Sequence, residues 1–394
     1  MVDGWPMWFA LVALLIVPIA AVLVAWLGRA PAPCLPHVYD RPPRPGTFAA
    51  RTIERLPPVV RDPPAIEAQS AEWRAAMAAI GRRLRRAGVR RVIFVHGTFV
   101  GHDPTTIFGA IGRLLGPLNP PLVLGLKQLT KTPSDRVLGD LGNYTPDYVA
   151  LFAAATGVAA ERYVWCSANH HFARLRGAAR LLGLLADIRR ARVLLIGHSH
   201  AAQLFALFTQ LVYPARTGPA LWAVLRDAGE PVDRLAAAAG SAARARIDIA
   251  TFGGPPRYSW APSSRCRVIH VINHRGVEPR AGVLGGVFHT EGGDYVQQLG
   301  IAGSDVPPGS AKERELTARL DSILGAGCDP RAWREHLRHR ARVPEHGFTW
   351  LVDYGDRATS VLPNCLATLF GHGVYTTYEA MLFNAQLLAD HFYR

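Results

Sequence analysis

The segment RVLLIGHSHAAQLFALF, residues 192–208, sets Ser199 between a run of strand formers and an apolar helix-forming run. Gly197 and Ala201 lie two residues to either side of it. In a sharp strand-to-helix turn the side chains two before and two after the apex face each other. Both must be small if the chain is to turn and leave the serine Oγ free to attack. The chemistry such a serine serves is acyl transfer, in which backbone N–H groups must meet the developing oxyanion. One donor is expected from the residue after the nucleophile, His200, and the other from Thr98, which follows His96-Gly97 at the end of the run VIFV (92–95). His96, His170, His171, His198 and His200 gather around these segments, but no H-E-x-x-H pattern accompanies them. His198 and His200 flank Ser199 on the turn, so the set is expected to line a pocket, and no metal site is expected.

These residues need elements to hold them. Residues 65–88 carry an apolar stripe through Ile66, Trp73, Met77, Ile80 and Leu84 and stop at Gly88, which predicts a basic amphipathic helix. A strand over 92–95 and a helix from Asp103-Pro104 to Leu115 follow. Strands are then expected at 162–167, 192–197, 247–253, 267–273 and 348–355, with helices at 171–189, 200–213 and 375–393. Short β-branched runs alternating with helices indicate an α/β fold, a mostly parallel sheet with helices on both faces. Residues 281–345 interrupt the pattern as an insertion or cap with hairpin material and two polar helices, at 310–324 and 330–339.

In chain order, VIFVHGT, WCSANHHFARLRGAARLL, LLIGHSHA, TFGGPPRY and HGVYT resemble the corresponding parts of an α/β-hydrolase of the lipase/esterase kind, over about residues 90–394. Ala201 stands where that family more often has glycine. The resemblance implies a Ser-acid-His triad in that order, no cofactor, and cleavage of carboxylic esters through an acyl-enzyme. It requires a histidine after the last strand, which selects His372 in GHGVY over His346, which precedes the strand FTWLVDYG. It also requires an acid beyond the strand that follows TFGGPP. Glu278 is the first candidate, with Asp294 in HTEGGDYVQQLG as its alternative and Asp353 in the last strand as a third.

Composition sets the surroundings. Residues 5–27 form an uncharged apolar run, long enough for one transmembrane helix, with Trp5, Trp8 and Trp26 near its ends. No basic region precedes it, which favours a retained anchor over a cleaved signal. Arg29, Arg41, Arg44 and Arg51 follow it, so the positive-inside rule puts the catalytic domain, residues 65–394, on the cytoplasmic side. Residues 28–64 are rich in proline and predict a semi-rigid linker. The net charge is +14, yet lysine occurs only at 127, 131 and 312, and the arginines are spread along a chain rich in alanine, glycine and proline. The densest cluster, Arg82 to Arg91, has no interleaved aromatics, so no nucleic-acid partner is expected. The expected partners are an ester or lipid substrate and the membrane. Cys34, Cys166, Cys266, Cys328 and Cys365 are isolated, with no C-x-x-C pair.

Overall fold

The computed structural model describes residues 50–52, 60–61, 66–97, 143–188, 190–275, 290, 292–302, 305, 307–325, 342–344, 346–355 and 368–394. The apolar run 5–27, most of the proline-rich stretch and the helix expected at 103–115 lie outside these residues, as does the second polar helix of the insertion. Among the described residues no helix is long and apolar enough to cross a membrane.

Strands β1 (Ala50–Thr52) and β8 (Arg342–Pro344) form a small antiparallel pair. The main sheet joins β2 (Val60–Arg61), β3 (Val89–Val95), β4 (Ala160–Tyr163), β5 (Arg192–His198), β6 (Arg246–Phe252), β7 (Cys266–Asn273) and β9 (Phe348–Asp353). Its order is β2-β9-β7-β6-β5-β3-β4, and every pair is parallel. The helices are α1 (Ala71–Arg86), α2 (Pro146–Thr156), α3 (His171–Leu184), α4 (Ala201–Val212), α5 (Gly218–Asp227), α6 (Val232–Ala242), α7 (Tyr295–Ala302), α8 (Ala311–Leu324) and α9 (Tyr378–Phe392).

Alternation along the strands explains why both faces are covered. Successive side chains of β5 point to opposite faces, so Val193 and Leu195 join one apolar core and Leu194 and Ile196 join the other. The first core is built with α3, α4, α5, α6 and α8, the second with α1, α2 and α9. The stripe expected on α1 is the face it buries: Trp73, Met77, Ile80 and Leu84 are within the core, and Ser70 caps the helix by accepting from the Trp73 N–H at 3.2 Å.

Several elements differ from expectation. The 28–64 linker contributes β1 and β2, two short strands, of which β2 sits at the edge of the main sheet, where nearby proline is tolerated. The strand expected at 162–167 is Ala160–Tyr163, and beyond it the Trp165 N–H leaves the ladder for His96 Nε2. Helices α2, α5 and α6, all short, are absent from the expected set; α2 is apolar on nearly every face, and α6 packs Ala238, Ala239 and Ala242 beside Leu235. The helix expected at 375–393 is divided by Thr377, which caps α9 and leaves Val374–Thr376 as a 3-10 turn.

Candidate active site

Parallel strands open their carboxyl ends on one edge of the sheet, and there β5 turns into α4. Ser199 occupies that turn with φ +58, a left-handed backbone that a non-glycine residue adopts at a cost and keeps only when its surroundings fix it. Its N–H donates to the Phe252 carbonyl at 2.9 Å, which ties the turn to the end of β6. A side chain at Gly197 would put its Cβ 2.8 Å from the Ala201 Cβ, and one at Gly97 would lie 2.7 Å from the Ser199 Cβ. The small residues are therefore required by contact across the turn. His200 follows as the N-cap residue of α4, so its amide lies at the electropositive end of that helix.

His372 lies after β9, in the loop before α9, and is 4% exposed. Its Nδ1 is 2.8 Å from Asp294 Oδ2. A carboxylate can only accept, so Nδ1 carries the proton and Nε2 is the basic nitrogen. Nε2 is buried with no hydrogen-bond partner among the described residues. The imidazole also packs on the residue before Ser199: the His198 and His372 ring centres are 4.5 Å apart, and His198 Nε2 donates to the His372 carbonyl at 2.9 Å.

Asp294 is held as firmly. Its Oδ2 accepts a second bond from the Tyr375 hydroxyl at 2.9 Å, and its Oδ1 accepts from the Gln297 N–H at 2.8 Å, capping α7. The Tyr375 oxygen in turn accepts from the Asn273 N–H at the end of β7. Burial, with the neighbouring Asp294 charge, holds the Tyr375 phenol well above its ordinary pKa, so it remains a donor. Gly253, with φ +59, lies against all three: a Cβ there would be 2.6 Å from the Tyr375 ring, 2.7 Å from Asp294 Oδ2 and 3.1 Å from His372 Nδ1.

Of the two candidate acids within the described residues, Asp294 and Asp353, Asp294 is the one brought to His372. Glu278 lies outside the described residues, and so does Thr98. Asp353 is elsewhere, 3.6 Å from the Arg275 guanidinium and accepting from the Gly355 N–H. His346 is also elsewhere, its carbonyl accepting from His270 Nε2 at 2.9 Å. The sequence signal for Asp294 is the Gly292-Gly293 pair before it. Gly293 has φ +91, and a Cβ on it would lie 2.1 Å from the Asn273 carbonyl. Only glycine lets that loop reach the end of β7.

The remaining histidines hold the surroundings. His96 Nδ1 donates to the Gly97 carbonyl at 2.7 Å while Nε2 accepts from Trp165, and the Trp165 indole donates to the His96 carbonyl at 2.9 Å. Burial lowers the His96 pKa to about 4, so the ring is neutral and fixes the loop after β3. His170 caps α3 by accepting from the Ala173 N–H. Among the described residues no group of three or more His, Cys, Asp or Glu is placed to hold a metal ion.

A serine on a strained turn beside a histidine whose Nδ1 is fixed by a carboxylate has the parts for nucleophilic catalysis. Compared with family models, with curated proteins and with solved structures, the chain finds no match in any of the three.

Proposed function

We propose that the chain is a membrane-anchored serine hydrolase with an α/β-hydrolase fold, cleaving carboxylic esters through an acyl-enzyme. The observation that carries this reading is the buried Asp294–His372 pair at 2.8 Å beside the left-handed Ser199 turn. In the proposed mechanism His372 Nε2 takes the Ser199 hydroxyl proton as the oxygen attacks the ester carbonyl. The amides of His200 and Thr98 hold the resulting oxyanion. The tetrahedral intermediate collapses, the alkoxide leaves with the proton from His372, and water, activated by the same histidine, hydrolyses the acyl-serine. Asp294 keeps the imidazole oriented and stabilises its protonated form. No cofactor enters this scheme. The strand order β4-β3-β5-β6-β7-β9, with the serine at the end of β5 and the histidine beyond β9, supports the family assignment. The apolar run 5–27 supports an anchor that keeps lipid esters close.

A fluorophosphonate probe tests the reading. Covalent labelling of the purified chain at Ser199, lost in Ser199→Ala, is the expected result. An unlabelled, folded wild-type chain would instead favour a tethered interaction domain that keeps the fold without catalysis. Transfer of the acyl group to an acceptor other than water, or cleavage of thioesters, would use the same serine.

A further inference from the structure

A second buried polar cluster adjoins the Ser199 turn and contains more positive charge than its carboxylate balances. Arg174, on α3, is fully buried and fully engaged. Its Nε donates to the Tyr258 hydroxyl at 2.8 Å, one terminal nitrogen donates to Asn169 at 2.9 Å, and the other grips the Asp305 carboxylate. Burial raises the Asp305 pKa, but the charges of Arg174, His171 and Arg257 outweigh it and hold the group ionised. Burial and the Arg174 charge lower the His200 pKa to about 3, leaving that ring neutral.

Arg257 has no such partners. It is only 5% exposed, its Nε is buried without a hydrogen bond, and among the described residues no carboxylate forms an ion pair with it. Its position is close to the chemistry. It lies four residues after Gly253, the glycine pressed against His372 and Asp294, and it lines a narrow crevice together with Ala202 and Gln203, on the first turn beyond Ser199, and with Gly254 after β6. Among the described residues Asp305 is the one carboxylate whose charge it feels, and that carboxylate is already gripped by Arg174. A buried guanidinium that must share its counter-charge is costly and is kept where something else supplies the balance. The planar fork of arginine suits the two oxygens of a carboxylate or phosphate.

We propose that Arg257 receives an anionic group, a carboxylate or a phosphate, carried by the ester whose carbonyl Ser199 attacks. The inference rests on the hydrolase reading and narrows its substrate class to esters with a negative charge a few atoms from the scissile bond. Three butyrate esters that differ only at the far end of the alcohol separate the cases: 2-hydroxyethyl butyrate, butyryloxyacetate and 2-(butyryloxy)ethyl phosphate. The wild-type full chain is expected to cleave one of the two anionic esters with kcat/KM at least tenfold above the neutral one, and which of the two it is names the anion. In Arg257→Gln that ratio is expected to fall toward one, and Arg257→Lys should restore part of it. An independent reading needs no variant: inorganic phosphate or acetate should slow fluorophosphonate labelling of the wild-type chain in a saturable way. A wild-type chain that is labelled at Ser199 and cleaves the neutral ester equally well or better, with labelling unaffected by either anion, overturns the proposal alone. Absence of both labelling and turnover overturns the hydrolase reading and this inference with it.

Discussion

At the scale of single residues, the candidate site is a short relay: the Asn273 amide, the Tyr375 hydroxyl, the Asp294 carboxylate and the His372 imidazole, each fixing the next. Removing the serine should abolish ester turnover without unfolding the chain, so Ser199→Ala is expected to leave the melting temperature unchanged and p-nitrophenyl butyrate uncleaved. Asp294→Asn is nearly isosteric but can no longer enforce the tautomer that leaves Nε2 basic. Its kcat is expected to fall by about three to four orders of magnitude, as for the loss of an orienting carboxylate in other triads. A loss of that size in Glu278→Gln, with Asp294→Asn active, would return the role to Glu278. The turn that holds Ser199 was legible because every demand on it is local: a strand before, a helix after, small residues two away. The carboxylate that meets His372 was not singled out, because its place depends on a loop crossing from β7 to the His372 turn, and neither Gly293 against Asn273 nor Tyr375 against Asp294 is visible as a spacing. Arg257 carried no signal either, since a buried arginine reads in sequence like any other.

At the scale of elements, the insertion before β9 is less of an appendage than its polar composition implied. Helix α8 buries Leu316, Leu320 and Leu324 against the core shared by α3 and α5. The four-residue recurrence of those leucines is the signal, diluted by the charged residues between them. Leu320, fully buried, should cost about 2–5 kcal/mol when replaced by alanine, read from urea unfolding. A cost near zero would mean that α8 rides on the surface. Asp305, just before α8, neutralises Arg174 on α3. Asp305→Ala leaves that guanidinium buried and unpaired, and about 3–5 kcal/mol of destabilisation is expected. The alternation of strands and helices was readable because β-branched runs such as those of β5 and β7 contrast with their flanks. Helices α5 and α6 do carry a buried stripe, Leu221, Val224 and Leu225 on one and Leu235, Ala238, Ala239 and Ala242 on the other, but each is too short for the period to stand out from its flanks.

At the scale of the whole molecule, three buried histidines tie stability to pH. Burial is the first cause at each: His96 and His270 are lowered from 6.5 to about 4, and His200 to about 3. In the unfolded chain these rings take up protons below about pH 6.5, whereas in the folded chain they stay neutral until about pH 4. The unfolded state therefore binds more protons in that window, and stability falls as pH falls. Each ring contributes on the order of 1.4 kcal/mol per pH unit once the unfolded form is fully protonated. Urea midpoints measured between pH 7 and pH 4.5 should drop steeply, and a flat profile would mean that these rings are not held neutral. The placement of the domain has its own check: protease added to intact cells should leave it whole if it faces the cytoplasm, and digestion there would reverse the expected orientation.

The pairing of β2 with β9 bears on the order in which the molecule assembles. Val60 lies beside Val352 and Arg61 beside Asp353, so the earliest strand of the main sheet is seated on the latest. Nearly all of the described chain lies between them, and closing so long a loop carries an entropy cost that grows with its length. Only two residues take part. Such a contact forms after β3, β5, β6 and β7 have stacked outward to give β9 its place, and it is the first to open when the native state breathes. Amide hydrogens at Val60 and Arg61 should then exchange well before those of β5. The join between the sheet and whatever precedes it works as a latch, closed by the last strand to arrive and released without disturbing the serine turn at the centre.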